Sequence, residues 1–209
     1  MPAPRTTAGR AALRDRPALS KPVKRAAVLS ADQIAALLAA AGPRDAALIA
    51  LMTAGAMRVG EATLLTWGDV DRCSVELPGG ITKTGRGRRF TLPEVACDYL
   101  KRWRQVCPVT RSGWVFPGAT GRFPLSVRGA QTAISKLAAE CGFSGVSSHS
   151  FRRSALTAAH QAGLSLREVA EISGHASLAA LEKYLDQDAA RDRADAARGL
   201  LLASTPMGR

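Results

Sequence analysis

Residues 147–186, SSHSFRRSALTAAHQAGLSLREVAEISGHASLAALEKYLD, hold all three histidines of the chain, one of its two tyrosines and the arginine pair Arg152 and Arg153. Within it, His149 lies three residues before Arg152, and His175 nine residues before Tyr184. A tyrosine hydroxyl titrates near pH 10 and is a poor nucleophile alone. It attacks a phosphodiester when fixed cations meet the charge that develops on the phosphoryl oxygens. Arginine suits that task, because its planar fork bonds two oxygens at once and keeps its charge. Histidine donates hydrogen bonds or moves protons, and a lysine can protonate a leaving alkoxide. This chemistry needs no metal, and the sequence has no evident carboxylate cluster for one. No cofactor is expected either.

His149-Ser-Phe-Arg152-Arg153, then Ser173-Gly-His175-Ala-Ser177, then Tyr184, resemble the C-terminal half of the catalytic domain of the tyrosine recombinases, the phage integrase family. The front half agrees. RDAALIALMTAGAMRVGEATLLTWGDVD resembles the family's first motif block, which puts its arginine on Arg58 and an acid on Glu61, a structural partner. ITKTGRGRRFTLP resembles the family's β-hairpin, with its lysine on Lys83. The resemblance spans roughly residues 28–190. It implies a catalytic set of Arg58, Lys83, His149, Arg152, His175 and Tyr184, with Arg86, Arg88, Arg89 and Arg153 as candidate DNA contacts. His160 belongs to no motif and packs or faces solvent; Tyr99 reads as core.

The charge points the same way. Twenty-nine Lys and Arg against 17 Asp and Glu give a formal charge of +12 and a pI near 10.6. Such an excess concentrates polyanions, nucleic acid first among them. A basic protein that merely coats nucleic acid shares this property. No run approaches the roughly 20 apolar residues of a membrane span. Cys73, Cys97, Cys107 and Cys141 show no C-x-x-C spacing, so neither a zinc site nor a disulfide framework is expected. Reduced thiols in a cytoplasmic, nucleoid-associated protein fit best.

Positioning these residues falls to an α+β, mainly helical domain with a small antiparallel sheet. Residues 1–28 are basic and proline-rich and read as an arm, disordered alone and ordered along phosphates. Order is expected from Ser30, whose pairing with Gln33 forms a capping box. A nearly all-apolar helix over 44–54 marks the core, and a third short helix ends near Trp67. CSVEL, GITKT and RRFTLP read as strands, with TGRGR as a hairpin tip. Helices follow from Pro93, over Val127–Glu140, over 149–162, from Ser165 with its partner Glu168, and after the SGHAS turn. Residues 29–190 form the catalytic domain, and 191–209 a helical tail whose apolar end could pack on a neighbouring protomer or on its own domain.

Three departures from the family pattern stand out. Ala56 occupies the place where the family usually has glycine, two residues before the first arginine. A core-binding domain usually precedes the catalytic one; its lack implies a minimal recombinase, like the fimbrial phase-switch type, or a fragment, and the Met1 start favours the former. The end after Tyr184 is short. The resemblance implies site-specific strand exchange for integration, excision or inversion by a tetramer on paired double-stranded sites, monomeric in solution, with a helper protein where the clamp domain is missing. A type IB topoisomerase shares the chemistry. A basic DNA-binding regulator that has lost catalysis is the second class.

Overall fold

The computed structural model describes residues 26–175, 177–182 and 185. Its order is α1 (Ala31–Ala40), α2 (Pro43–Ala54), α3 (Val59–Thr63), β1 (Val70–Asp71), β2 (Ser74–Leu77), β3 (Arg88–Thr91), α4 (Glu94–Val106), α5 (Val127–Glu140), α6 (Ser148–Gln161), α7 (Leu166–Ser173) and α8 (Leu178–Glu182).

Helix α2 is the axis of the fold. Ala46 to Met52 are all buried, so apolar side chains surround it on every side, and it packs against α1, α4, α5 and α6. Burying each of Leu48, Ile49, Leu51 and Met52 contributes about 1.5–3 kcal/mol. Both capping boxes read from the sequence are present, Ser30 with Gln33 and Ser165 with Glu168. Helix α5 has the expected bounds, and α1, α2, α4 and α6 fall within a residue or two of theirs; the third helix, expected to end near Trp67, stops at Thr63, and Trp67–Asp69 form a separate 3-10 turn.

The sheet is smaller than expected. Its order is β1-β2-β3, all antiparallel, with Leu77 opposite Arg88 and Val75 opposite Phe90. GITKT is not a strand: Gly79–Ile81 form a 3-10 turn, and Thr82 bonds back to the carbonyls of Gly79 and Arg86. Two glycines enforce this path, since a Cβ on Gly79 would lie 2.4 Å from the Gly85 carbonyl and one on Gly87 2.8 Å from that of Leu77. The β2–β3 connection is therefore a compact loop over residues 78–87.

The cysteine expectation is also corrected. Cys73, in the turn between β1 and β2, is disulfide-bonded to Cys97 in α4, with Cα atoms 5.4 Å apart. The sheet folds its turn onto the first half of α4, a proximity that a separation of 24 residues does not reveal. Cys107 and Cys141 are free.

The segment just before Ser30 is already held against the domain. Ala27 donates its amide to the Gly145 carbonyl, Leu29 donates to Ser154 Oγ, and Arg153 Nη1 donates to the Ala26 carbonyl at 2.6 Å. The rest of the basic segment and the tail 191–209 lie outside the described residues. Among the described residues, no helix is long and apolar enough to cross a membrane.

Two apolar clusters result. The main one holds α1, α2, α4, α5 and the sheet. The second gathers Ala56, Leu156, Val169, Ala170, Leu181 and Leu185, and so fastens α7 and α8 to α6 and to the turn after α2.

Candidate active site

The turn between α2 and α3 starts the site. Arg58 is the N-cap of α3, and Glu61 in its first turn is buried, with 2% of its side chain exposed. One carboxylate oxygen takes Arg58 Nη1 at 2.8 Å. The other takes the Arg58 amide at 3.0 Å and Arg88 Nη2 at 3.1 Å, from β3. Burial alone would raise the Glu61 pKa; the Arg58 hydrogen bonds and the charges of Arg88 and Arg58 outweigh it and hold the carboxyl below its usual value. Glu61 is thus ionised at neutral pH and acts as the joint anchor of two arginines.

Helix α6 supplies the third. Its Arg152 has 0% exposure, the largest fully buried side chain among the described residues. Nη1 donates to the Ala56 carbonyl, and Nη2 donates to the Ser173 carbonyl at 2.8 Å and faces His175 Nε2 at 3.4 Å. One guanidinium therefore ties α6 to the turn after α2 and to the end of α7. Ala56 presents its carbonyl from a left-handed backbone, φ 44°, with its methyl buried in the second cluster. This is the position where the family pattern has glycine, and the backbone explains that preference.

His175 follows Gly174, whose φ of 64° closes α7 in the left-handed conformation. Its Nδ1 lies 2.6 Å from Ser173 Oγ, which also reaches the Ala170 carbonyl at 3.1 Å. Arg152 has only hydrogens to offer Nε2, so these neighbours assign the proton to Nδ1 and the lone pair to Nε2. Desolvation, then the positive charges of Arg152 and Arg58, push the His175 pKa down to about 4; Glu61 pulls the other way, and Arg88 adds a smaller push downward. His175 is neutral at pH 7. Among the described residues, three guanidiniums against one carboxylate make this pocket cationic.

The remaining candidates are placed as follows. Lys83 is exposed on the 78–87 loop, and His149 is exposed on the first turn of α6. No hydrogen bond or ion pair among the described residues joins either to the cluster. Arg86 and Arg89 are exposed, Arg89 Nε bonding Ser74 Oγ at 2.9 Å. Arg88 turns inward to Glu61 with 13% of its side chain exposed. Arg153 is half-buried and holds the segment before α1. His160 sits in the last turn of α6, Nδ1 3.0 Å from the Leu164 carbonyl, and Tyr99 is partly buried against the main core. Tyr184 lies outside the described residues; Leu181 and Leu185 on either side of it are buried in the second cluster. Among the described residues, no group of three or more His, Cys, Asp or Glu side chains could hold a metal ion.

The profile of the phage integrase family matches residues 27–191, which contain every residue of this cluster. The chain belongs to that family. Tyrosine recombinase XerC of Xanthomonas axonopodis pv. citri (strain 306) is 32% identical over 176 residues, covering 80% of this chain and 56% of that protein. The chain spans about half the length of the curated relatives it matches. Among solved structures, the XerA recombinase superposes with a TM-score of 0.72 at 24% identity, over 82% of this chain and 65% of that one. The XerH site-specific recombinase bound to its difH substrate gives a TM-score of 0.62 at 21% identity, over 75% and 49%. The fold is that of tyrosine recombinase catalytic domains. Sequence reasoning for this family missed the inward role of Arg88, the Ser173 hydroxyl and the Ala56 carbonyl. Only the Ser173-Gly174-His175 spacing, a left-handed glycine closing a helix, carried a signal for any of them.

Proposed function

We propose that this chain is the catalytic domain of a site-specific DNA recombinase that cleaves and rejoins strands through a 3′-phosphotyrosine. The observation that supports this reading is the convergence of Arg58, Arg152 and His175, from three separate elements, on one cationic pocket anchored by Glu61.

Tyr184 Oη forms a bond to the scissile phosphorus and the bond to the 5′ oxygen breaks, leaving a free 5′-hydroxyl. The tyrosine proton passes to a base, and the leaving oxygen takes one from an acid. Arg58, with 21% of its side chain exposed, and Arg152 meet the non-bridging oxygens. Losing one such donor costs on the order of 3–4 kcal/mol of transition-state stabilisation. His175 and His149 supply hydrogen bonds and proton transfer. A phosphate between the guanidiniums offsets the charge that depresses His175 and so raises its basicity when substrate arrives. Lys83, exposed on the 78–87 loop, protonates the leaving oxygen. The phosphotyrosine conserves the energy of the broken bond, so attack by the 5′-hydroxyl of a partner strand reverses the step without a nucleotide cofactor.

Double-stranded DNA bearing paired sites is the partner, and a tetramer on DNA is the working assembly of protomers that are monomeric in solution. A helper DNA-binding protein is a further partner in this reading. A cytoplasmic, nucleoid-associated setting follows from that substrate. In this reading, residues 1–28 form the arm, 29–190 the catalytic domain and 191–209 the tail.

Supercoiled plasmids with and without paired candidate sites from the chain's own genetic neighbourhood test the assignment. Recombinant products that require both sites, and vanish in Tyr184→Phe, support it. Equal relaxation of every plasmid would instead make the chain a type IB topoisomerase. Binding with neither product would leave a DNA-binding regulator.

A further inference from the structure

Arg88 occupies a position that neither a DNA contact nor a stabilising core residue explains. In β3 the burial alternates, with Arg88 and Phe90 on the inner face and Arg89 and Thr91 outside. On that inner face Arg88 Nη2 bridges the Gly55 carbonyl at 3.3 Å and Glu61 Oε2 at 3.1 Å. Its Nη1 approaches the other side of the pocket, 3.3 Å from where a Cβ on Gly174 would sit. A single side chain from the sheet therefore touches the turn that leads to Arg58 and the turn that carries His175. Its Nε is buried without an acceptor among the described residues. A buried donor left unmade is costly, and an apolar side chain would fill this space at lower cost. Stability is thus a poor reason for an arginine here.

From this placement, and resting on the phosphoryl-transfer reading above, we infer that Arg88 is a positioning residue of the active site: it helps fix the Glu61 carboxylate that orients Arg58 and adds to the positive field around His175.

The geometry gives each role its cause. Glu61 has two oxygens; with Arg88 on one, the other stays in line with Arg58 Nη1. Removing Arg88 leaves the first oxygen to the Arg58 amide alone, which loosens the carboxylate that aligns the Arg58 fork. Among the described residues, the groups that face His175 are Arg152 from α6, Ser173 from α7, Arg58 at the start of α3 and Glu61 within it, and Arg88 from β3. Three of these are cations, so deleting one favours protonation of the imidazole. Arg88 thereby contributes to keeping His175 neutral before DNA arrives, when a charged imidazole would repel its arginine neighbours.

The test is an NMR pH titration of histidine-labelled protein, wild type beside Arg88→Met, Arg88→Gln and Arg88→Lys. Three histidines give three resonances, which His149→Asn and His160→Asn assign. In Arg88→Met the His175 midpoint is expected to rise, while in Arg88→Lys it stays near wild type. Arg88→Gln retains a donor for the Gly55 carbonyl and serves if the Met variant does not fold. Alongside, affinity for a random-sequence duplex is measured against salt. Little change in the neutral variants, with the salt slope intact, supports positioning. An unmoved His175 midpoint, with a salt slope lowered by about one, overturns the inference and makes Arg88 a phosphate contact. Neither readout needs strand cleavage, so failure of the recombinase reading would register separately, as a lack of covalent product with the His175 shift intact.

Discussion

Replacing Glu61 by glutamine keeps the shape of the side chain and removes the charge that binds Arg58 and Arg88. The carboxylate accepts three hydrogen bonds at 2.8–3.1 Å with 2% of the side chain exposed. Glutamine offers one oxygen and turns an NH2 toward a guanidinium, donor against donor. Breaking a buried ion pair from one side costs about 3–5 kcal/mol. Arg58 is partly hydrated, which lowers the expectation to about 2–4 kcal/mol at pH 7. For a domain of this size each kcal/mol is about 2–4 °C, so the melting temperature should fall by roughly 5–15 °C. The pH dependence has a definite sign. The folded-state pKa of Glu61 lies below its ordinary 4.5, so its contribution is complete above that value and is lost as pH falls through the folded pKa. Thermal unfolding by circular dichroism from pH 7 down to 4 measures both effects. A gap between wild type and Glu61→Gln of less than about 2 °C at pH 7 would refute the anchoring role, as would a gap that widens toward acid.

Other consequences are narrower. Gly174→Ala forces a methyl into a left-handed turn and 3.3 Å from Arg88 Nη1, so a loss of about 1–2 kcal/mol in denaturant unfolding is expected. Ala56→Gly relieves about 1 kcal/mol of left-handed strain, but loses a buried methyl worth about as much and gains unfolded-state entropy. Its denaturation midpoint should therefore barely move, and a large drop would show that the methyl contact dominates. His175 titrates near 4 when folded and near 6.5 when unfolded, so the unfolded chain takes up the proton first and stability falls as pH drops from 6.5 toward 4. After discounting for its partial exposure the effect is about 1–2 kcal/mol, and it should be missing from His175→Asn in urea titrations at pH 7 and 5.

How much of this was readable from the chain depends on the range over which each feature is determined. The capping boxes at Ser30 and Ser165 and the bounds of α5 follow from residues within one turn of each other, and they stand as read. The convergence of Arg58, Arg152 and His175 was legible because their spacing is a motif of the family. Arg88 was not. Strand β3 alternates, but a guanidinium at an inward position masks the apolar period, so the segment reads as a basic hairpin tip. The Glu61–Arg88 pair joins residues 27 apart, and the disulfide joins residues 24 apart, through a sheet whose register the sequence leaves open. GITKT looked like a strand because Ile and Thr favour one, yet the close approach of the Gly79 and Gly87 backbones makes a loop there. The segment 26–29 offered no pattern because backbone hydrogen bonds to α6 and its approach hold it.

The most direct test of the central claim is covalent trapping. Wild-type protein and Tyr184→Phe are incubated with labelled nicked duplexes from the chain's own genetic neighbourhood and run on a denaturing gel. The account predicts a slow, protease-sensitive band with the wild type alone, its label on the strand that ends in a 3′-phosphate. The same band from Tyr184→Phe, or none from wild type on duplexes it binds, would contradict it.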